Sequence, residues 1–248
     1  MSEIKIEPYR SGYKVDGEYF PRVTTVIDVL AKPGLVIWAR REALKIVRHE
    51  FRQYEGQVIT LAPDFLDDLI ARADREPDRQ KDEAADIGTR AHAAIHDIIL
   101  GKEPPVSSDI LPCVEGFLGW KESSGIEIDG GEIRVASKKH KFAGTLDGKG
   151  QRSDSRLILD WKTSKAIYPA HVMQVAAYCK AWEEMYGEKV MEAWICRFPK
   201  NPQEEVDGIP DPKWVPFEAR KIVDIDFAFS LFLNAKGLYD GLKQQLFV

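Results

Sequence analysis

Apolar and polar positions change their period twice along the chain. The stretch YKVDGEYF alternates around the turn signal Asp16-Gly17, so residues 5–22 predict a short hairpin. Thr24 or Thr25 then caps a first helix through Leu30, which Pro33 and Gly34 terminate. Helical spacing continues from Leu35 to about Gln53. Residues 63–86 are acidic and helical in type, with Pro63 and Pro77 as punctuation. The run AADIGTRAHAAIHDIIL predicts a helix ending at Gly101, followed by a loop at Pro104-Pro105 and an amphipathic helix over 110–124.

From Gly131 the period shortens to that of strands. EIRVAS, HKFAGTLDGKG and RLILDWKTS each predict a strand, and the loop at 151–155 joins the last two as a hairpin. Helix returns over 170–186 and a strand over 190–198. A loop rich in Pro and Asp follows, then a final helix from about Asp224. No internal repeat interrupts this order. The expected fold class is α/β, a mixed central sheet flanked by helices with a helical N-terminal region. It forms a single domain over 1–248, divided into 1–86, a core at 87–200, and a loop with the C-terminal helix at 201–248.

Composition narrows the class without choosing a function. The 248 residues are 44% hydrophobic and 30% charged, ordinary for a globular chain. The apolar runs are short and broken by charge, and MSEIKIEPYRSGYKV lacks the apolar centre of a signal peptide, so no membrane span or export is expected. Cys113, Cys179 and Cys196 are odd in number and far apart, which fits a reducing cytoplasm. A formal charge of −5 does not advertise nucleic acid, but the placement of basic residues matters more than their sum. Arg40, Arg41, Lys45, Arg48 and Arg52 share one predicted helix, either as a solvated face or as a basic wall for a substrate.

The chemistry concentrates at Asp160-Trp161-Lys162, which ends the apolar run Leu157-Ile158-Leu159. Alternate strand residues share a face, so Asp160 and Lys162 point together and Trp161 points away. Asp147 ends FAGTLD thirteen residues earlier, and antiparallel pairing through the short loop brings the two acids to neighbouring positions. Carboxylates that close repel. A divalent cation resolves the conflict, and oxygen ligands favour Mg²⁺ or Mn²⁺ over zinc. Lys162 beside such a pair can orient water or stabilise charge on phosphoryl oxygens. Gly88-Thr89-Arg90-Ala91-His92 opens a helix, and Gln174 and Tyr178 share a helix face at i and i+4.

Taken in order, these motifs resemble the RecB-type branch of the PD-(D/E)xK nuclease superfamily: G-x-x-x-H at 88–92, G-x-x-D at 144–147, D-x-K at 160–162 and Q-x-x-x-Y at 174–178. The stretch PRVTTV at 21–26, with Lys32-Pro33-Gly34-Leu35 and Trp38, looks like that of phage-encoded exonucleases and of the mitochondrial genome maintenance exonuclease. The resemblance implies a restriction-endonuclease-like core. Asp147, Asp160, His92 and the Trp161 carbonyl would be metal ligands, with Lys162 as catalytic lysine and Gln174 and Tyr178 supporting the site or the substrate strand. Thr145, Thr163 and Ser164 would lie near a phosphate, and Glu132 corresponds to a further acid or is a plain edge-strand charge. Cysteines for an iron–sulfur cluster are too few and wrongly placed, so none is expected.

The implied activity is a Mg²⁺- or Mn²⁺-dependent deoxyribonuclease, an exonuclease acting on single strands or free DNA ends in recombination, repair or replication. It would work in the cytoplasm (the host's, if phage-encoded), with a recombination or replication protein as a possible partner. Lys138 and Lys139, with Lys141, Lys149 and Lys165, either track phosphates or blunt a strand edge. Trp38, Trp161 and Tyr168 either stack on bases or belong to the core. Rival readings are an inactive or partner-dependent nucleic-acid-binding module of the same fold, and a zinc hydrolase using His92, His96 and one carboxylate.

Overall fold

The computed structural model describes residues 4–200, 205–206, 209–210 and 215–244. The Pro- and Asp-rich loop expected after Phe198 lies largely outside them. The chain divides into two compact units, one of residues 31–87 and one that joins residues 1–30 to 88–248. The N-terminal thirty residues therefore group with the later chain, not with the helices that follow them.

The larger unit begins with a three-stranded antiparallel sheet of β1 (Ile6–Tyr9), β2 (Gly12–Val15) and β3 (Glu18–Pro21), where a single hairpin was expected. Asp16 and Gly17, at φ 48 and 89, form the anticipated tight turn. The added strand comes from a second turn at Arg10, φ 50, which the sequence does not flag. Helix α1 (Val23–Ile27) has Arg22 as its N-cap and no side-chain cap, so neither Thr24 nor Thr25 caps it. The reason is that Arg22 is still extended and forms an isolated parallel bridge with Ala143, and the helix starts at once after it.

The unit at 31–87 holds α2 (Pro33–Arg52) and the first part of α3 (Pro63–Ile99). Arg72 joins Glu50 at 2.9 Å, and Gln80 and Lys45 both reach Glu42. Pro77 does not punctuate α3. The 37-residue helix runs through it, despite the hydrogen bond a proline removes, with Arg79 bridging Glu76 and Glu83 just beyond.

The central sheet has five strands in the order β10-β7-β6-β5-β4: β4 (Glu127–Ser137), β5 (Phe142–Arg152), β6 (Ser155–Lys162), β7 (Glu192–Arg197) and β10 (Glu218–Lys221). A separate two-stranded ladder is formed by β8 (Glu205–Val206) and β9 (Ile209–Pro210). Only β6 and β7 are parallel, so the sheet is mixed. Their crossover is α5 (Pro169–Tyr186), as a parallel connection requires. The loop expected at 151–155 shrinks to a turn at Ser153 and Asp154, both with positive φ, which matches strand twist. Strand β4 starts at Glu127, earlier than Gly131, and β10 is an unforeseen edge strand.

Helices cover both faces of the sheet. On one, α5 and α6 (Ile225–Lys243) bury Phe142, Leu146 and Ile158 with Tyr178, Trp182 and Phe232. On the other, Trp161 meets Phe117 and Trp120 of α4 (Leu111–Ser124), with ring centroids 5.5 and 5.3 Å apart, and Phe198 at 5.9 Å. Trp161 is 1% exposed, so it is a core anchor and not a base-stacking platform. Among the described residues no helix is long and apolar enough to cross a membrane.

Candidate active site

The site lies where two strands part. β5 and β6 pair from Arg152–Ser155 to Gly148–Leu159 and then separate. β6 stays with β7 as far as Lys162 opposite Arg197, while β5 stays with β4. The next pair in register would be Asp147 opposite Asp160. In its place the Trp161 N–H donates to Asp147 Oδ2 at 2.8 Å. N–H and C=O of one strand residue point the same way, so the Trp161 carbonyl also faces this opening.

Asp147 is re-aimed by a switch of face. Leu146 packs into the core under α5 and α6, yet a Cβ on Gly148 would lie 2.9 Å from the Trp161 ring and 3.3 Å from Leu159 on the opposite side. Residues two apart on a regular strand share a face; these do not. On β4 the ladder likewise passes from Gly131–Gly148 to Ile133–Leu146 around Glu132, whose φ is 51. Local irregularity of this kind redirects side chains beside active sites.

Four ionisable groups meet at the fork. Asp160 is fully buried, and Lys162 Nζ forms an ion pair with its Oδ2 at 2.5 Å. Gln174 Nε2 donates to the other oxygen, Oδ1, at 3.3 Å and to the Tyr178 hydroxyl at 3.1 Å. His92 Nδ1 lies 3.4 Å from Asp147 Oδ1. Burial pushes the Asp160 carboxyl up to about 6, against the pull of Lys162 and with a further push from Asp147. Burial would raise Asp147 too, but His92, Lys162 and the Trp161 N–H together hold it below the ordinary value. Burial would lower His92, and the Asp147 carboxylate outweighs that to leave it raised. Tyr178 is raised well above its usual value, chiefly by burial, and is a neutral hydroxyl at physiological pH.

Two glycines of the motifs have packing reasons. A Cβ on Gly144 would lie 2.4 Å from Tyr178 Cε1, so only glycine lets that ring rest on β5. A Cβ on Gly88 would come to 3.1 Å from Thr163 Oγ1, which places the helix carrying His92 against the end of β6.

The other anticipated residues have mixed placements. Ser164 donates to the Ala166 carbonyl at 2.8 Å, a local turn contact. Lys138 pairs with Asp16 at 2.5 Å, Lys141 pairs with Glu18, and the Lys139 N–H donates to Glu184 at 3.0 Å. Glu132 is exposed and stands across from Asp147 at the face switch. Thr145 is bound by a residue the sequence did not single out: the Tyr13 hydroxyl, at 2.9 Å. Arg22, in the PRVTTV stretch but given no role there, has its guanidinium over the Tyr13 ring, 5.4 Å from the centroid. The Tyr13–Thr145 contact spans 132 residues, and no local pattern announces it.

No family profile matches the chain, and no curated protein sequence does. Among solved structures, a candidate exonuclease from Eubacterium rectale is similar with a TM-score of 0.42 and 9% identity, over 63% of this chain and 65% of that one. An alkaline exonuclease from Laribacter hongkongensis is similar with a TM-score of 0.30 and 12% identity, over 64% of this chain and 88% of that one. The chain thus spans about two thirds of the first structure's length. At such scores the assignment has to rest on the chemistry of the fork itself.

Among the described residues no three His, Cys, Asp or Glu side chains form a ready group for a metal ion. That holds alike for His92 with Asp147 and Asp160 and for His92 and His96 with a carboxylate. His96 instead packs against Gly131, where a Cβ would lie 3.0 Å from its Nδ1. What the fork does offer is two carboxylates and a backbone carbonyl. An all-oxygen set of this kind suits a hard divalent cation that keeps several of its own waters.

Proposed function

We propose that the chain is a metal-dependent deoxyribonuclease, an exonuclease acting on DNA ends or single strands, with its reaction centre at the fork. One observation carries this reading: a fully buried carboxylate, Asp160, and a second, Asp147, share the fork with one lysine, Lys162, and burial with the neighbouring acid holds the Asp160 carboxyl above its ordinary value. Such a group is costly unless a cation or a reaction uses it.

Asp147, Asp160 and the Trp161 carbonyl would hold Mg²⁺ or Mn²⁺, with His92 on Asp147 as a further ligand or as the group that keeps Asp147 ionised. When bound, the ion supplies Lewis acidity toward a phosphoryl oxygen and lowers the pKa of water. The protein's own groups do the rest. Gln174 and Tyr178 fix the Asp160 carboxylate, and the Trp161 N–H fixes Asp147. Lys162 is 15% exposed at its side chain, so its ammonium is available to hold a water or a non-bridging phosphate oxygen as charge develops. The reaction adds water across one P–O bond, leaving a phosphate on one side and a hydroxyl on the other.

The test compares wild type with Lys162→Ala on end-labelled single-stranded, duplex and circular DNA, each with Mg²⁺, Mn²⁺ or chelator. Metal-dependent loss of linear but not circular DNA, absent in the variant, supports an exonuclease at this site. No cleavage of any substrate by wild type moves the reading to an inactive or partner-dependent binding module. Cleavage that survives the substitution places the chemistry elsewhere.

A further inference from the structure

Beyond Gly148, the β6-side edge of β5 is left open as far as Phe142, because β6 has turned away with β7. The N-terminal segment comes to that open stretch at two points. The backbone of Arg22 bridges to Ala143, and the hydroxyl of Tyr13 meets Thr145, two residues before Asp147. Tyr13 is 6% exposed and part of a small core with Ile6, Val15, Phe20 and Ala143, so its ring is a fixed platform. The Arg22 guanidinium rests over that ring, its side chain exposed, and it makes no ion pair among the described residues.

A cation that is exposed, unneutralised and held in place by an aromatic face is poised for an anion. Stacking limits the freedom that arginine would otherwise lose on binding, and the guanidinium matches phosphate geometry. Lys138 and Lys141, the nearby cations singled out from the sequence, differ in that Asp16 and Glu18 already engage them. Four residues of strand separate Ala143 from Asp147, about 13 Å at the usual rise. The guanidinium itself lies over Tyr13, whose hydroxyl meets Thr145 two residues from Asp147, which puts it on the path of the substrate strand beside the acid pair.

We infer that Arg22, steadied by Tyr13, binds a backbone phosphate of the substrate strand next to the one at the fork. This rests on the nuclease reading and adds a substrate-binding residue outside the four motifs that build the fork. Arg22 sets affinity and register, while the fork carries the chemistry. Tyr13 acts through Arg22 and Thr145 as a positioning residue.

The experiment measures binding of a 5′-fluorescein single-stranded 20-mer by anisotropy over a range of salt, in the Lys162→Ala background with Mg²⁺ so that the probe survives. Arg22→Ala is expected to weaken binding about tenfold. It should also lower the slope of log K against log salt by about 0.7, the value for one single-strand phosphate contact. Arg22→Lys should restore the salt slope but not the full affinity, because the charge returns without the stacked fork geometry. Tyr13→Phe keeps the ring and should change affinity less than Arg22→Ala. In the active background, Arg22→Ala should raise KM with little change in kcat. Arg22 is exposed and folding is checked by circular dichroism, so a loss of binding is separable from a loss of structure. Tight binding by the parent with unchanged affinity and slope in Arg22→Ala overturns this inference and leaves the nuclease reading standing. Absence of DNA binding by the parent overturns both.

Discussion

The backbone N–H of Trp161 donates to the Asp147 carboxylate across the point where β5 and β6 separate. The ladder would otherwise pair Asp147 with Asp160 there, so one side chain has replaced a backbone partner at the head of the fork. The substitution has two effects. It satisfies a strand N–H that lost its partner when the strands diverged, and it ties the position of one acid to the strand that carries the other. Trp161 is itself gripped by Phe117, Trp120 and Phe198 on the far face, so the fork is braced by the aromatic core.

Lys162→Ala should leave the fold intact and lower hydrolysis by at least about a hundredfold, the scale seen when a group stabilising transition-state charge is removed. The distinguishing measurement is the thermal shift on adding Mn²⁺. It should persist in Lys162→Ala and shrink in Asp147→Ala and Asp160→Ala. Loss of the shift in the lysine variant alone would mean that Lys162 organises the metal site and not the reaction.

The pH dependence of metal binding follows from Asp160. Its carboxyl sits at about 6 in the folded protein against an ordinary 3.8. The folded value is the higher one, so the group favours the fold fully below about 3.8 and this contribution is lost as pH rises through about 6. A bound cation needs the ionised form. Affinity for Mn²⁺ should therefore fall by up to tenfold per unit as pH drops below about 6 and level off above it. Thermal denaturation with and without Mn²⁺ at pH 5 and pH 8 reads this directly, and equal stabilisation at the two values would contradict it.

Much of this site was legible in the sequence because its signals are local. Strand alternation put Asp160 and Lys162 on one side of Trp161, and helix periodicity put Gln174 beside Tyr178, as their 3.1 Å contact bears out. The mixed sheet and its flanking helices followed from the same two periods. What escaped depends on contacts between distant segments. The face switch at Asp147 requires β4 and β5 to break alternation together, and nothing in FAGTLD marks it. Tyr13 and Thr145 lie 132 residues apart, and only the folded chain joins them. Pro77 was misjudged for a related reason: a local rule for helix ends is overridden when a long helix keeps its neighbouring turns.

Ser137 and Lys139 meet the same carboxylate, Glu184, by a side-chain and a backbone hydrogen bond at 2.5 and 3.0 Å, which pins the β4–β5 turn to α5. Glu184→Ala should therefore destabilise the protein by about 0.5–1.5 kcal/mol, the net worth of a hydrogen bond at a half-exposed site, while activity per folded molecule stays near that of wild type. Urea denaturation beside a specific-activity assay separates the two. A large fall in specific activity would show that the turn, with Lys138 and Lys139, takes part in substrate binding after all.

The close seat of Tyr178 on Gly144 gives the most discriminating test of how the site is held. A methyl at Gly144 would stand 2.4 Å from Cε1 and 3.2 Å from Cζ of a ring that is only 4% exposed, so the ring must move. Moving it drags the hydroxyl from Gln174, whose other contact is Asp160. Gly144→Ala should then destabilise by about 1–3 kcal/mol, the usual range for overpacking, and lower kcat through Asp160. Tyr178→Ala removes the ring and should by itself cost about 3–5 kcal/mol. In the double variant the methyl has space, so the two losses should fall short of their sum by about 1 kcal/mol or more. Tyr178→Phe is the control, because it keeps the ring and the clash; paired with Gly144→Ala it should fall short of additivity only by the Gln174 hydrogen bond that both variants lose. Additivity in the alanine pair would mean that Gly144 is glycine for some reason other than the Tyr178 ring, and that this ring does not carry the strain to Asp160.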